Sequence, residues 1–140
     1  MAAREVFADT SALYALVDRR DAHHVRAAAL AGEMGRAGRR MVTTDYVIAE
    51  TLNLAVARRG RHVADRALDL VSHSRGIRIE WIGTERFAET KAFFRKHADH
   101  DYSFTDCTSF VVMRELKIAD ALTTDGHFAE AGFRPLLPVV

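Results

Sequence analysis

Apolar residues in this chain fall into short runs separated by longer stretches of helical period. Val6-Phe7-Ala8 stops at Asp9, and Met41 to Thr44, Ile77 to Ile82 and Ala121 to Thr124 have the same short, β-rich character. Each predicts a strand, and Leu136 to Val139 predicts a weaker last one. Helices are expected between them. The first is capped by Thr10 or Ser11 and runs to about Val17, and the second covers about Ala22 to Ala37. The third is capped by Thr44 or Asp45 and ends near Gly60, and the fourth runs from about Arg61 to Ser74, before Gly76. Thr84 caps a helix to about His97, Ser103 caps Phe104 to Leu116, and a short turn covers His127 to Ala131. Pro135 and Pro138 are the only prolines, so nothing breaks the earlier helices. Strands alternating with helices predict an α/β fold, a three-layer α/β/α sandwich around a mainly parallel sheet of about five strands. In such sheets ligands bind beyond the carboxyl ends of the strands, where the strand order reverses.

Composition narrows the picture. The chain has 140 residues, 49% hydrophobic and 28% charged, which predicts one domain over 1–140 and excludes a disordered chain. No apolar run approaches the ~18–20 residues needed to cross a bilayer, and the amino end reaches charges too early for a signal peptide. A cytoplasmic location is expected. The net charge of +1 gives no global argument for a nucleic-acid partner, although a local basic rim would serve. Such clusters occur at Arg19-Arg20, Arg36 with Arg39-Arg40, Arg58-Arg59 with Arg61, and Arg95-Lys96-His97. Cys107 is the only cysteine, which excludes an internal disulfide and a multi-thiolate zinc site. It reads as a buried small hydrophobe.

Four carboxylates stand out. Asp9 and Asp125 end two predicted strands, positions also compatible with a helix cap or a turn. Glu50 shares a helix face with Tyr46, Val47, Asn53, Leu54 and Ala57, which reads either as a core-facing stripe where a carboxylate is costly unless paired or bound to a metal, or as a stripe with Glu50 at its edge reaching water or an arginine. Asp106 lies three residues after Ser103, so it also fits the acidic partner of a capping box. Together the four project toward one end of one sheet and would repel one another unneutralised. A hard divalent cation with oxygen ligands removes that conflict and suits phosphoryl transfer.

At these residues the sequence resembles PIN domains. Phe7-Ala8-Asp9-Thr10-Ser11-Ala12-Leu13, Tyr46-Val47-Ile48-Ala49-Glu50-Thr51, Ser103-Phe104-Thr105-Asp106-Cys107 and Leu122-Thr123-Thr124-Asp125-Gly126-His127-Phe128 match its four motifs in order and spacing. The nearest subgroup is the compact VapC-like toxin of toxin–antitoxin pairs. The resemblance implies a Mg2+- or Mn2+-dependent endoribonuclease, a homodimer, held inactive by an antitoxin protein. It makes Asp9, Glu50, Asp106 and Asp125 the catalytic quartet. Asp9, Asp106 and Asp125 would ligate the metal, with Glu50 most distant and acting through water.

Thr10 and Ser11 are expected to orient the first carboxylate and phosphate, and Asn53 and Ser103 to serve substrate or metal water. Thr105 reads as a backbone-bonded residue, and Asp99 and Asp101 as exposed loop carboxylates. His127 reads as a turn residue, and the histidines show no zinc spacing. The Ala-rich helices at 22–37 and 46–74 are expected to leave a face for a second copy or an antitoxin helix. Two other functions fit less well. One is a metal-dependent phosphohydrolase of another, small phosphoester, whose aspartyl-phosphate version would want Asp where Ser11 stands, and the other is a non-catalytic RNA-binding scaffold, which has no need of an intact quartet.

Overall fold

Val6–Ala8 (β1) is fully buried and lies at the centre of the sheet. The computed structural model describes residues 4–140. In chain order the elements after β1 are α1 (Thr10–Val17), α2 (His24–Arg36), β2 (Met41–Thr44), α3 (Asp45–Arg58), α4 (Arg61–His73) and β3 (Ile77–Glu80). There follow α5 (Gly83–Lys96), α6 (Phe104–Glu115), β4 (Asp120–Leu122), α7 (His127–Glu130) and β5 (Arg134–Pro135). The five strands are all parallel, in the order β3-β2-β1-β4-β5. The chain moves outward from β1 through β2 to β3, then returns to the other side of β1 for β4 and β5. Right-handed crossovers therefore send the helices before β3 to one face and those after it to the other. The contacts agree: α1 to α4 pack with one another, and α5, α6 and α7 form a second set. The result is the expected α/β/α sandwich.

Several boundaries differ from the sequence pattern. Asp9, not Thr10 or Ser11, occupies the cap position of α1, and its side chain makes no capping bond. Helix α5 begins at Gly83, one residue before Thr84. Strand β4 ends at Leu122, so Thr123 and Thr124 lie beyond it and Asp125 is not terminal to the strand. The last strand is Arg134–Pro135, upstream of the expected Leu136 to Val139. Its position is anchored by Arg134, which pairs with Asp120 on the adjacent β4 at 2.9 Å. Gly60 separates α3 from α4 at φ 102°, a conformation that a Cβ would strain.

The core runs through the sheet. Phe7, Leu13, Phe110, Met113, Leu122 and Phe128 are its largest fully buried side chains. Phe128 of α7 packs 5.0 Å from Phe110 and 6.4 Å from Phe7, centroid to centroid. This contact fixes the short α7, and with it His127, against the sheet. The buried face of α3 is Val47, Thr51 and Ala55. Thr51 is tolerated there because its hydroxyl donates to the Val47 carbonyl at 2.8 Å.

Candidate active site

The strand order reverses between β1 and β4, and the residues after these two strands face each other. Asp9 follows β1, its residue only 5% exposed. Its Oδ2 accepts a hydrogen bond from the Thr123 hydroxyl at 2.8 Å, across from β4. Thr123 Oγ1 in turn accepts from the Asp125 amide at 3.0 Å, and Ser11 Oγ accepts from the Thr124 amide at 3.1 Å. Ser11 Oγ also lies 3.4 Å from Asp9 Oδ2. Beyond the ladder, Thr123 and Thr124 are thus tied to the residues that follow β1, the first through its hydroxyl and the second through its amide.

Asp106 arrives from the opposite layer. Ser103 caps α6, accepting from the Asp106 amide at 3.0 Å while Asp106 Oδ2 accepts from the Ser103 amide at 3.2 Å. The capping box and the site carboxylate are therefore one residue, and the cap holds the carboxylate in the first turn. His127 Nδ1 lies 3.2 Å from the same Asp106 Oδ2 and 3.4 Å from Asp125 Oδ1. Asp125 Oδ1 also accepts the His127 amide at 2.9 Å.

The electrostatics show a cluster short of positive charge. Burial pushes the Asp9 carboxyl up to about 7 against its Thr123 and Thr10 hydrogen bonds, and Asp106 and Asp125 raise it further. Burial also raises Asp106, with Asp125 adding to the effect and Ser103 and His127 opposing it. Burial works against the His127 imidazolium, but Asp125 and Asp106 outweigh it and the His127 pKa rises. Cys107, next in the chain, is fully buried and its thiol is pushed up to about 11 by burial. It is a core residue, as expected.

Asp9, Asp106 and Asp125 share the wall of a cleft of about 440 Å³ with Thr10, Ser11 and Glu50. Ligand atoms of Asp106, Asp125 and His127 lie within 4.8 Å of one another, a spacing fit for a metal ion. Asp9 stands near enough for Asp106 and Asp125 to raise its carboxyl, and Glu50, on the same cleft wall, is not part of the close group. Glu50 is exposed, so it faces the cleft rather than the core, and the stripe assigned to it is not the buried face of α3. The donor set fits a hard divalent cation: carboxylate oxygens, one imidazole and excess negative charge. Thr10 Oγ1 strengthens the fit, being a buried hydroxyl on the cleft wall with no hydrogen-bond partner.

The other expected residues divide. Ser103 acts through its cap on Asp106, and Asn53 is exposed outside the residues lining the cleft. Asp99 and Asp101 belong to the polar loop before α6. The sequence reading missed Thr123 and undervalued His127. The available signals were a hydroxyl two residues before Asp125 and an imidazole two residues after it. Tyr14, Asp21 and His23 also line the cleft and carried no local signal, and they are joined there by Leu54 from the face of Glu50 and Arg58 from one of the basic clusters.

Comparison with known proteins agrees with this architecture. The PIN domain family model matches residues 6–134, and the chain belongs to that family. It is 33% identical over 133 residues to the 23S rRNA-specific endonuclease VapC20 of two Mycobacterium tuberculosis strains, CDC 1551 / Oshkosh and H37Rv, covering 95% of this chain and 98% of each relative. The crystal structure of Mycobacterium tuberculosis VapC20, described as a sarcin–ricin loop cleaving toxin, superposes with a TM-score of 0.83 at 32% identity, covering 95% of this chain and 99% of that one. The chain is thus a VapC-like member of the family, and its relatives support a nuclease. Among the described residues no helix is long and apolar enough to cross a membrane.

Proposed function

We propose that this chain, as one domain, is a metal-dependent endoribonuclease and the toxin of a toxin–antitoxin pair acting in the cytoplasm. Its substrate is ribosomal RNA of the large subunit, at or near the sarcin–ricin loop, by likeness to VapC20. The observation that carries the activity is the convergence of Asp9, Asp106, Asp125 and His127 beside the unpartnered Thr10 hydroxyl.

Asp9, Asp106 and Asp125 would hold Mg2+ or Mn2+, with His127 beside them and Glu50 reaching through water. When bound, the cation polarises the phosphodiester and makes water a competent nucleophile near neutral pH. The protein's own groups do the positioning. Thr123 and Ser11 hold the Asp9 carboxylate in place, and the Ser103 cap holds that of Asp106. Thr10 offers its hydroxyl to a phosphate oxygen. His127 bridges the Asp106 and Asp125 carboxylates and limits their repulsion. Asn53, one turn beyond Glu50, contacts RNA outside the cleft.

Val25, Val56 and Leu68 are exposed on α2, α3 and α4, at 80%, 47% and 42%. These apolar positions support docking of an antitoxin helix and of a second copy of the chain. Light scattering that finds only a monomer, with no binding by the antitoxin, contradicts both.

The test of activity is cleavage of total cellular RNA by purified, antitoxin-free protein with Mg2+, Mn2+ or EDTA. Discrete fragments that need metal and disappear with Asp9→Asn and Asp106→Asn support the reading. RNA left intact by wild type with either metal contradicts it.

A further inference from the structure

The arginines of this protein are of two kinds. At the amino end of the sheet Arg39 and Arg134 both pair with Asp120, at 3.0 and 2.9 Å. Arg78 and Arg86 are shared among Glu5, Glu80 and Glu115. Those charges are neutralised within the fold. Beyond the ends of α1 and α3 the pattern changes. Arg19, Arg20, Arg59, His62 and Arg66 line a cleft of about 430 Å³ with Asp18 and Val63.

The one carboxylate in this cleft is already engaged. Asp18 accepts hydrogen bonds from the Tyr14 hydroxyl and from Arg59 Nε, the latter at 3.1 Å. Arg66 gives a single bond, to the Val17 carbonyl at 3.2 Å. Arg19 and Arg20 are exposed and enter no ion pair among the described residues. Asp21 lines the catalytic cleft instead, and Asp69 lines an adjoining depression that shares Arg19 and Arg66 with the basic cleft, but among the described residues it pairs with His73 and with neither arginine.

The basic cleft and the catalytic cleft share a wall. Tyr14 and Arg58 line the catalytic side, while Asp18 and Arg59 line the basic side. The Tyr14–Asp18 hydrogen bond and the adjacent Arg58 and Arg59 form the partition. Arg58 is held there over the Tyr14 ring, 5.2 Å from its centroid.

We propose that this basic cleft is an anchoring site for the RNA backbone, binding phosphates away from the bond that is cut. The inference rests on the ribonuclease reading of the catalytic cleft. Its physical basis is a mismatch. A cluster of carboxylates repels a polyanion, and a net charge of +1 supplies little long-range attraction. Affinity for RNA must come from a local group of unneutralised cations, and guanidinium forks match phosphate oxygens two at a time. The α1–α4 cleft offers such a group, adjoining the site where a strand would be cut.

The test is the salt dependence of RNA binding by the full chain in EDTA, which prevents cleavage. The probe is a fluorescently labelled RNA hairpin with the sarcin–ricin loop sequence, followed by anisotropy. Each lost phosphate contact lowers the slope of log K against log salt by about 0.7 to 0.9. Arg19→Ala/Arg20→Ala should lower that slope by one to two such steps and weaken binding about tenfold at low salt. Arg40→Ala/Arg75→Ala, removing two exposed charges just before β2 and β3 and outside both clefts, should leave the slope unchanged. Wild-type binding with the same slope in both variants, or an equal loss in both, overturns the anchoring site and leaves the ribonuclease reading standing. No binding of the hairpin by wild type overturns both.

Discussion

Thr123 donates its hydroxyl proton to Asp9 at 2.8 Å, joining the residues that follow β1 and β4 across the point where the strand order reverses. The same hydroxyl accepts the Asp125 amide at 3.0 Å, so one oxygen sets two of the four site carboxylates. Thr123→Val keeps the shape and removes this link. Catalysis is expected to fall about 10- to 100-fold, the usual cost of losing a partner that orients a ligand. Cleavage rates at saturating Mg2+, with circular dichroism to confirm folding, check this. An unchanged rate would make Thr123 a purely structural residue.

His127 bridges Asp106 and Asp125 through Nδ1. His127→Ala should weaken Mn2+ binding by roughly 10- to 100-fold, read by calorimetric titration. His127→Asn keeps a short polar donor on α7 and should recover part of the loss. Equal Mn2+ affinity in wild type and both variants would remove His127 from the site.

Phe128 connects the core to the site. It is fully buried between Phe7 and Phe110, and it is the next residue after His127. Phe128→Ala should cost about 3–5 kcal/mol of stability in urea unfolding. Activity should fall further than the folded fraction does, because α7 loses its seat. A rate that simply tracks the folded fraction would uncouple the two.

Asp18 gives a pH signature away from the acidic cluster. The Tyr14 hydroxyl, ahead of opposing burial and with help from Arg20 and Arg59, holds its carboxyl at about 2, below the ordinary 3.8. A depressed carboxyl stabilises the fold above its unfolded pKa and loses that contribution as pH falls through its folded value. Wild type should therefore lose stability between about pH 4 and pH 2, and Asp18→Asn should be less stable at pH 7 with a flatter acid limb. Thermal melts across that range measure it, and parallel curves for the two proteins would contradict the assignment.

Much of this site was visible as local pattern. The run Val-Phe-Ala before Asp9 is a buried strand, and Ser103 with Asp106 forms the capping box that its spacing suggests. The cap and the cleft position of Asp106 are compatible, since the first turn that Ser103 caps also brings its carboxylate to the cleft that Asp9 and Asp125 line. What escaped the sequence depends on distant partners. Thr123 and Thr124 look like strand residues until Asp9 and Ser11, more than a hundred positions earlier, engage them. The last strand is displaced because Asp120 captures Arg134. Of the two positions open to Glu50, the exposed one holds, because Thr51, a polar residue, takes a place in the buried stripe by bonding its own helix. The choice among basic clusters likewise required knowing which arginines line a cleft next to the acidic one.

The most direct test of the central claim is single-turnover cleavage of 23S rRNA, mapped by primer extension, with wild type and Asp106→Asn in Mg2+. The account predicts one dominant cut by wild type, its rate falling at least 100-fold in the variant and vanishing in EDTA. A cut of equal rate in the variant, or one indifferent to EDTA, would contradict the acidic cluster as the site of hydrolysis.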